Sequence, residues 1–141
     1  MKKLGVLIVV ILAFVLSACG ASLSSPEGAA AYLYNAMENG DKDKVKEALC
    51  DEQKDFADTV FEAGEGSEIT YDFNFQYVTD DKKDNSATVK VYGHATIRQV
   101  TDDVDRELKS ASRSDKPLIE LSLVKDGDDW KVCSSPLAIA Q

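Results

Sequence analysis

Hydrophobic residues in the first half of the chain recur with the period of an α-helix. Ser25 and Pro26 form a typical helix start, with Ser as the N-cap and Pro in the first turn. Gly40 is a typical helix stop, and Asp41 can cap a second helix. Residues 52–63 carry a third apolar stripe. The pattern therefore predicts three short helices.

The second half of the chain changes to a period of two, which is typical of half-buried β-strands. The alternating runs are residues 69–77, 87–97, 119–123 and 130–133. Residues 101–115 are charged with little apolar content, so they are predicted to be an exposed loop or a long hairpin tip. Helices followed by an antiparallel meander predict an α+β fold in which the helices cover one face of the sheet.

The N-terminal residues have the three-part layout of a secretory signal. Lys2 and Lys3 are followed by an apolar run, residues 4–16, and then by small residues. A membrane-spanning helix needs about twenty residues, so a removable leader is favoured over a permanent transmembrane anchor. We expect residues 1–18 to be cut from the mature chain.

The end of this leader resembles the lipobox of bacterial lipoproteins. Leu16 and two small residues precede Cys19, and Gly20 follows it. The resemblance implies transfer of diacylglycerol to the Cys19 thiol and anchoring at the extracytoplasmic face of a membrane in the bacterial cell envelope. Stable attachment needs two or more acyl chains, which a diacylglyceryl cysteine supplies. An ordinary signal peptide with a chance cysteine is the alternative.

Behind Cys19 we expect a short tether, residues 19–25, and then one domain, residues 26–141, since 141 residues allow little more. Residues 20–24 are small and mostly polar, with nothing predicted to pack. At about 3.3 Å per residue the tether reaches about 20 Å at most, which keeps the domain close to the bilayer.

The net charge of −9 makes nucleic acid and anionic lipid headgroups unfavourable partners, because the acidic surface repels them. One His and three Cys are too few for a zinc site of familiar composition. The acidic runs at residues 102–105 and 126–129 lack the spacing of an EF-hand. We therefore expect no metal and no cofactor.

Tyr32 and Leu33 precede Gly40 and Asp41 at the junction of the first two predicted helices. Residues 123–132 are predicted to form the closing hairpin, whose last three residues are Trp-Lys-Val. These segments resemble the SnoaL-like, nuclear-transport-factor-like superfamily, a cystatin-like cone in which helices pack into a curved sheet. Similar segments occur in bacterial lipoprotein domains of unknown function. Members of the superfamily include isomerases, dehydratases, ligand binders and assembly scaffolds, so the resemblance leaves the function open.

Cys50 and Cys133 remain if Cys19 carries lipid, and two thiols in an oxidising compartment usually form a bridge. The superfamily's fold can bring their elements together. If Trp130 and Val132 face the core, strict alternation turns Cys133 outward, so a bridge requires a bulge or a strand end. Two separate thiols are the alternative.

Aromatic residues occupy one face of the first predicted strand. They are Tyr71, Phe73, Phe75 and Tyr77. Core packing under the helices is the simpler interpretation. The alternative is the wall of an apolar pocket, with the Tyr hydroxyls as ligand handles. No carboxylate shares this face of the strand, so an isomerase-like pair of acid and tyrosine is not evident.

His94, the one histidine, is a candidate general base. The residues of the same strand parity are Thr88, Lys90, Tyr92, Thr96 and Arg98. This polar set is typical of a solvated face or a rim. We therefore expect a non-catalytic module that binds a small apolar molecule or an envelope protein. A small isomerase or dehydratase that uses the cone as its active site is the alternative.

Overall fold

The computed structural model describes residues 21–62 and 66–140, so the predicted leader and Cys19 lie outside the described residues. The elements are α1 (Pro26–Glu38), α2 (Lys42–Ala48), a 3-10 turn (Asp51–Gln53), α3 (Lys54–Thr59), β1 (Ser67–Asp80), β2 (Ser86–Thr101), β3 (Asp105–Arg113), β4 (Ile119–Asp126) and β5 (Asp129–Val132). The predicted α+β class, with helices packed on the sheet, is confirmed.

The helix boundaries follow the predicted capping residues. The Ser25 side chain accepts a hydrogen bond from the Gly28 N–H, and the Asp41 side chain accepts one from the Lys44 N–H. Gly40 lies between α1 and α2 with a φ of 67°, the left-handed conformation that glycine adopts without strain. The third helix is shorter than predicted: it ends at Thr59, where the chain turns towards the sheet.

The sheet is antiparallel with β2 at its centre, and it curls into a half-barrel. β1 pairs with β2 from one end to the other, whereas the opposite side of β2 is divided. Residues 86–91 of β2 pair with β4, and residues 93–100 pair with β3. β5 continues the sheet beyond β4. A curled sheet covered by helices is compatible with a cone-like domain.

Of the two interpretations of residues 101–115, the exposed loop is wrong and the long hairpin agrees with the structure, because most of these residues form the strand β3. β3 forms a long hairpin with β2, closed by a turn at which the Val104 N–H donates to the Thr101 hydroxyl. Residues 105–110 are all exposed. Among the described residues, no layer covers either face of this part of the strand, and alternation in hydrophobicity arises only where one face is buried.

The hydrophobic core lies between the helices and the concave face of the sheet. The largest fully buried side chains are Tyr34, Leu33, Met37, Leu49, Leu118, Ile119, Leu121, Leu123, Val45, Val89, Val91 and Val132. All of these except Tyr34 and Leu118 lie at the apolar positions predicted for the helices and strands. Within the described residues, no helix combines the length and the apolar character needed to cross a membrane.

The segment before α1 packs on the domain, contrary to the expectation that nothing in it would pack. Leu23 is only 7% exposed, and its carbonyl oxygen accepts a 2.7 Å hydrogen bond from the Trp130 N–H at the start of β5. The Ser22 carbonyl oxygen lies so close to Gly28 that a Cβ there would be 2.5 Å away. The packed domain therefore begins at least three residues before Pro26.

Candidate binding site

The aromatic stripe of β1 faces α1 and surrounds Tyr34. The Tyr34 ring lies edge-on to Phe73 and Phe75, with centroids 5.1 and 4.9 Å apart, and it stacks on Tyr77 at 6.1 Å. Tyr71 is buried, and the other three stripe residues are half-buried. Tyr34 thus fills the concave side of the sheet at the place where a ligand could otherwise lie.

Two tyrosine hydroxyls in this region bond to the protein itself. Tyr34 donates to the Pro136 carbonyl oxygen at 2.9 Å, and Tyr71 donates to the Val60 carbonyl oxygen. Burial raises the pKa of Tyr71 to about 12 and the pKa of Tyr34 well above its ordinary value, because the phenolate would lose its hydration. Both hydroxyls are therefore neutral structural donors, and the predicted role of Tyr71 as a ligand handle would require breaking its bond.

Sequence reasoning missed the contribution of α1 to this region. Tyr34 and Glu38 are four residues apart, so they share one helix face. Glu38 accepts a hydrogen bond from the Phe73 N–H at 3.2 Å, and partial burial raises the pKa of its carboxyl group. This carboxylate lies beside the aromatic stripe but remains exposed. The helical period of α1 was the signal that could have found it.

The interior offers no set of acid and base groups among residues 21–62 and 66–140. No charged side chain there is buried, and no buried polar side-chain atom lacks a hydrogen-bond partner. His94, the candidate base, is exposed on the outer face of the sheet, where its Nε2 lies 2.9 Å from the Thr96 hydroxyl. The structure does not bring it to the aromatic stripe.

The outer face of the sheet, opposite the helices, carries a groove of about 290 Å³, here called the polar groove. It is lined by Asn74, Gln76, Tyr92, Gly93, His94, Ser112 and Ser114. The register explains this grouping, because Asn74 pairs with His94 and His94 pairs with Ser112 across three strands. None of the lining residues is Asp, Glu, Lys or Arg, although these four types make up 29% of the whole chain.

Gly93 lines the polar groove and has an unusual backbone conformation. Its φ is 124°, and a Cβ at this position would lie 2.0 Å from the Asn74 carbonyl oxygen. A side chain therefore cannot be accommodated, which is the usual meaning of a glycine inside a strand. Gly93 also stands where the partner of β2 changes from β4 to β3. The glycine thus permits the close approach of β1 and β2 at this point.

Cys50 and Cys133 lie at disulfide distance, with Cα atoms 5.0 Å apart. β5 ends at Val132, so Cys133 follows directly after the strand end. Trp130 and Val132 are buried, so strict alternation would turn Cys133 away from the core. Its place at the strand end releases Cys133 from that alternation, as a bridge requires. The ligand atoms of Glu52 and the two cysteines lie within 4.8 Å of one another, but bridged sulfurs have no thiolate to offer a metal.

Comparison of the chain with protein-family models, with curated proteins and with solved structures finds no match.

Proposed function

We propose that this protein is a lipid-anchored binding module of the bacterial cell envelope, held through Cys19 at the extracytoplasmic face of a membrane. The observation that supports binding at the surface is the packing of Tyr34 into the aromatic stripe. It fills the middle of the concave side, whereas the outer face has an open groove. The exposed position of His94 supports a function without catalysis.

The basic start, the apolar run and the lipobox-like residues around Cys19 support the anchor. The position of the first packed residue agrees with it. Leu23 is already buried, so only a few residues separate the acylation site from the folded domain. Ala21 lines a surface groove together with Tyr32 and Asn35 of α1. The lipid would therefore hold the helical side of the domain near the bilayer, and the polar groove lies on the opposite face of the sheet.

The fold is further proposed to be a divergent cystatin-like cone of the SnoaL-like, nuclear-transport-factor-like superfamily. Support comes from the helix junction at Gly40 and Asp41 and from the closing hairpin, in which Trp130 is buried. An apolar ligand at the stripe stays a second proposal: it would contact the half-exposed Phe75 and Tyr77. Thermal shifts with lipids and isoprenoids test it, because a bound ligand stabilises the fold by about 2.7 kcal/mol at a hundredfold excess over its dissociation constant.

Metabolic labelling with a fatty-acid analogue tests the anchor. The parent chain should incorporate the label, and Cys19→Ala should incorporate none, because the thiol is the acylation site. A double variant, Cys50→Ser with Cys133→Ser, is the matched control that keeps Cys19 and should label like the parent. Equal labelling of the parent and Cys19→Ala would rule out this anchor. Turnover of a hydroxyacyl or ketosteroid-like substrate that His94→Ala abolishes would instead favour the enzyme.

A further inference from the structure

We propose that the polar groove on the outer face of the sheet binds a neutral saccharide chain. This inference rests on the proposed function, because it names the ligand class of a surface on the same binding module.

The hydrogen-bonding groups of the polar groove match sugar hydroxyls. The carboxamides of Asn74 and Gln76 carry both donors and acceptors, and so do the hydroxyls of Ser112 and Ser114. A sugar hydroxyl likewise donates and accepts. Because the four side chains are exposed, they bond to water in the free protein and can exchange that water for a ligand.

Tyr92 adds the apolar surface that a sugar ring needs. Its side chain is half-buried in the groove, and it pairs with Gln76 across the sheet. An aromatic ring with a polar hydroxyl offers a flat apolar face beside a hydrogen-bonding group. A pyranose has the same division, with C–H groups on its faces and hydroxyls at its rim. The groove thus combines one stacking surface with several neutral polar groups.

Charge favours a neutral ligand over the other classes. No Lys or Arg lines the groove, and the chain has a net charge of −9, so an anionic polymer would be repelled. A cation would find no carboxylate in the lining, and an apolar ligand would leave the polar groups without partners. A typical protein interface buries about 800 Å² on each partner, which a short groove of this size does not supply alone.

The backbone holds these groups in place before binding. The lining side chains except Ser114 come from β1, β2 and β3, which are hydrogen-bonded to one another at this point. Side chains on paired strands keep their positions better than side chains on loops. The lining side chains therefore lose little conformational freedom when the ligand binds, which limits the entropic cost of binding.

Titration calorimetry of the full chain, purified in detergent, tests the proposal with chitotetraose and cellotetraose as probes. We expect at least one probe to bind, with an affinity that high salt leaves unchanged, since no ion pair is involved. Tyr92→Ala should weaken binding about tenfold, and Asn74→Ala about fivefold. Tyr92→Phe keeps the aromatic ring and disturbs the fold less than Tyr92→Ala, so it serves as the conservative variant at this position. Val78→Ala is the matched control for Asn74→Ala, because Val78 is exposed on the same strand, β1, and does not line the groove.

Binding of neither probe would overturn the proposal, and so would binding that Tyr92→Ala and Asn74→Ala both leave intact. Capture of an envelope protein that Tyr92→Ala abolishes, with no sugar binding, would assign the groove to a protein instead. Fatty-acid labelling is read independently of these titrations. A chain that is labelled at Cys19 but binds neither sugar would contradict this inference and leave the anchored module standing.

Discussion

The hydroxyl group of Tyr34 donates a hydrogen bond to the backbone carbonyl oxygen of Pro136, 102 positions later in the chain. The bond connects α1 with the segment that follows β5. The ring of the same residue lies at the centre of the aromatic stripe. One side chain therefore joins the first helix, the edge strand β1 and the C-terminal segment.

Replacing Tyr34 with Phe should keep the ring contacts but leave the buried Pro136 carbonyl without a partner. The expected loss is about 1–3 kcal/mol in the free energy of unfolding, the cost of an unsatisfied buried acceptor. Urea titration measures it as a lower midpoint at an unchanged slope. Tyr32→Phe is the control, because its hydroxyl bonds to Glu47 at the exposed surface. Equal losses in the two variants would contradict the role given to the Pro136 bond.

Replacing Gly93 with Ala should destabilise the sheet by at least about 2 kcal/mol, because strained backbone and a steric clash combine. The added Cβ would meet the Asn74 carbonyl oxygen at 2.0 Å, with φ at 124°. Gly127→Ala is a matched control: its φ is also positive, at 63°, but nothing lies within 4 Å of its Cβ position. Thermal melting of both variants distinguishes clash from φ strain. A Gly93 variant no less stable than the Gly127 variant would disprove the close approach.

Local signals were enough to predict the helices. The Ser25 and Asp41 side chains accept hydrogen bonds from backbone amides three residues later, so their capping role can be inferred from residues close in the sequence. The strands with one buried face were predicted from another local signal, the alternation of apolar and polar residues along the strand. β3 was missed because both of its faces meet solvent at residues 105–110, and no alternation marks such a strand. Leu23 was missed because a single apolar residue has no period.

The polar groove could not be predicted from any one segment. Its central row joins Asn74, His94 and Ser112, and only the register of three strands brings them together. The parity of β2 predicted that His94 faces outward, and the structure agrees. Gly93 was the available local signal, since glycine within a strand indicates a close backbone approach.

Leu23→Ala should release the N-terminal segment from the domain. We expect a loss of about 2 kcal/mol, at the low end for a buried Leu, because a terminal segment can come away without disturbing the rest. Limited proteolysis should then cut before Pro26 faster than in the parent. Ser24→Ala changes the exposed neighbour and should have little effect. Unchanged stability and cleavage for Leu23→Ala would mean that the segment is not docked.

The Cys50–Cys133 bridge should stabilise the domain strongly, because it closes a long loop with a sequence separation of 83. The chain-entropy argument gives roughly 4–5 kcal/mol as an upper value. The oxidised protein should be two hydrogens lighter than the reduced one and should melt at a higher temperature. In the double variant Cys50→Ser with Cys133→Ser, a reductant should no longer alter melting. Two reactive thiols in the folded, oxidised protein would exclude the bridge.

Glu27 and Glu38 both connect α1 to the edge strand β1, and their pKa values shift in opposite directions. The Glu27 carboxylate accepts a hydrogen bond from the Thr79 hydroxyl, which lowers its pKa. The Glu38 carboxyl group loses hydration through partial burial, which raises its pKa despite the bond from the Phe73 N–H. Protonation therefore has opposite effects on the stability of the fold at these two positions.

Replacing each residue with Gln removes its charge and keeps an oxygen acceptor. A raised pKa means that the Glu38 contribution to stability is full below the unfolded-state pKa and is lost as the pH rises through the folded-state pKa. Glu38→Gln should therefore be more stable, relative to the parent, at neutral pH than at acidic pH. The Glu27 contribution is present above the unfolded-state pKa and is lost as the pH falls, so Glu27→Gln should show the opposite trend. Urea midpoints across the acidic range measure both, and parallel trends would contradict the assigned contacts.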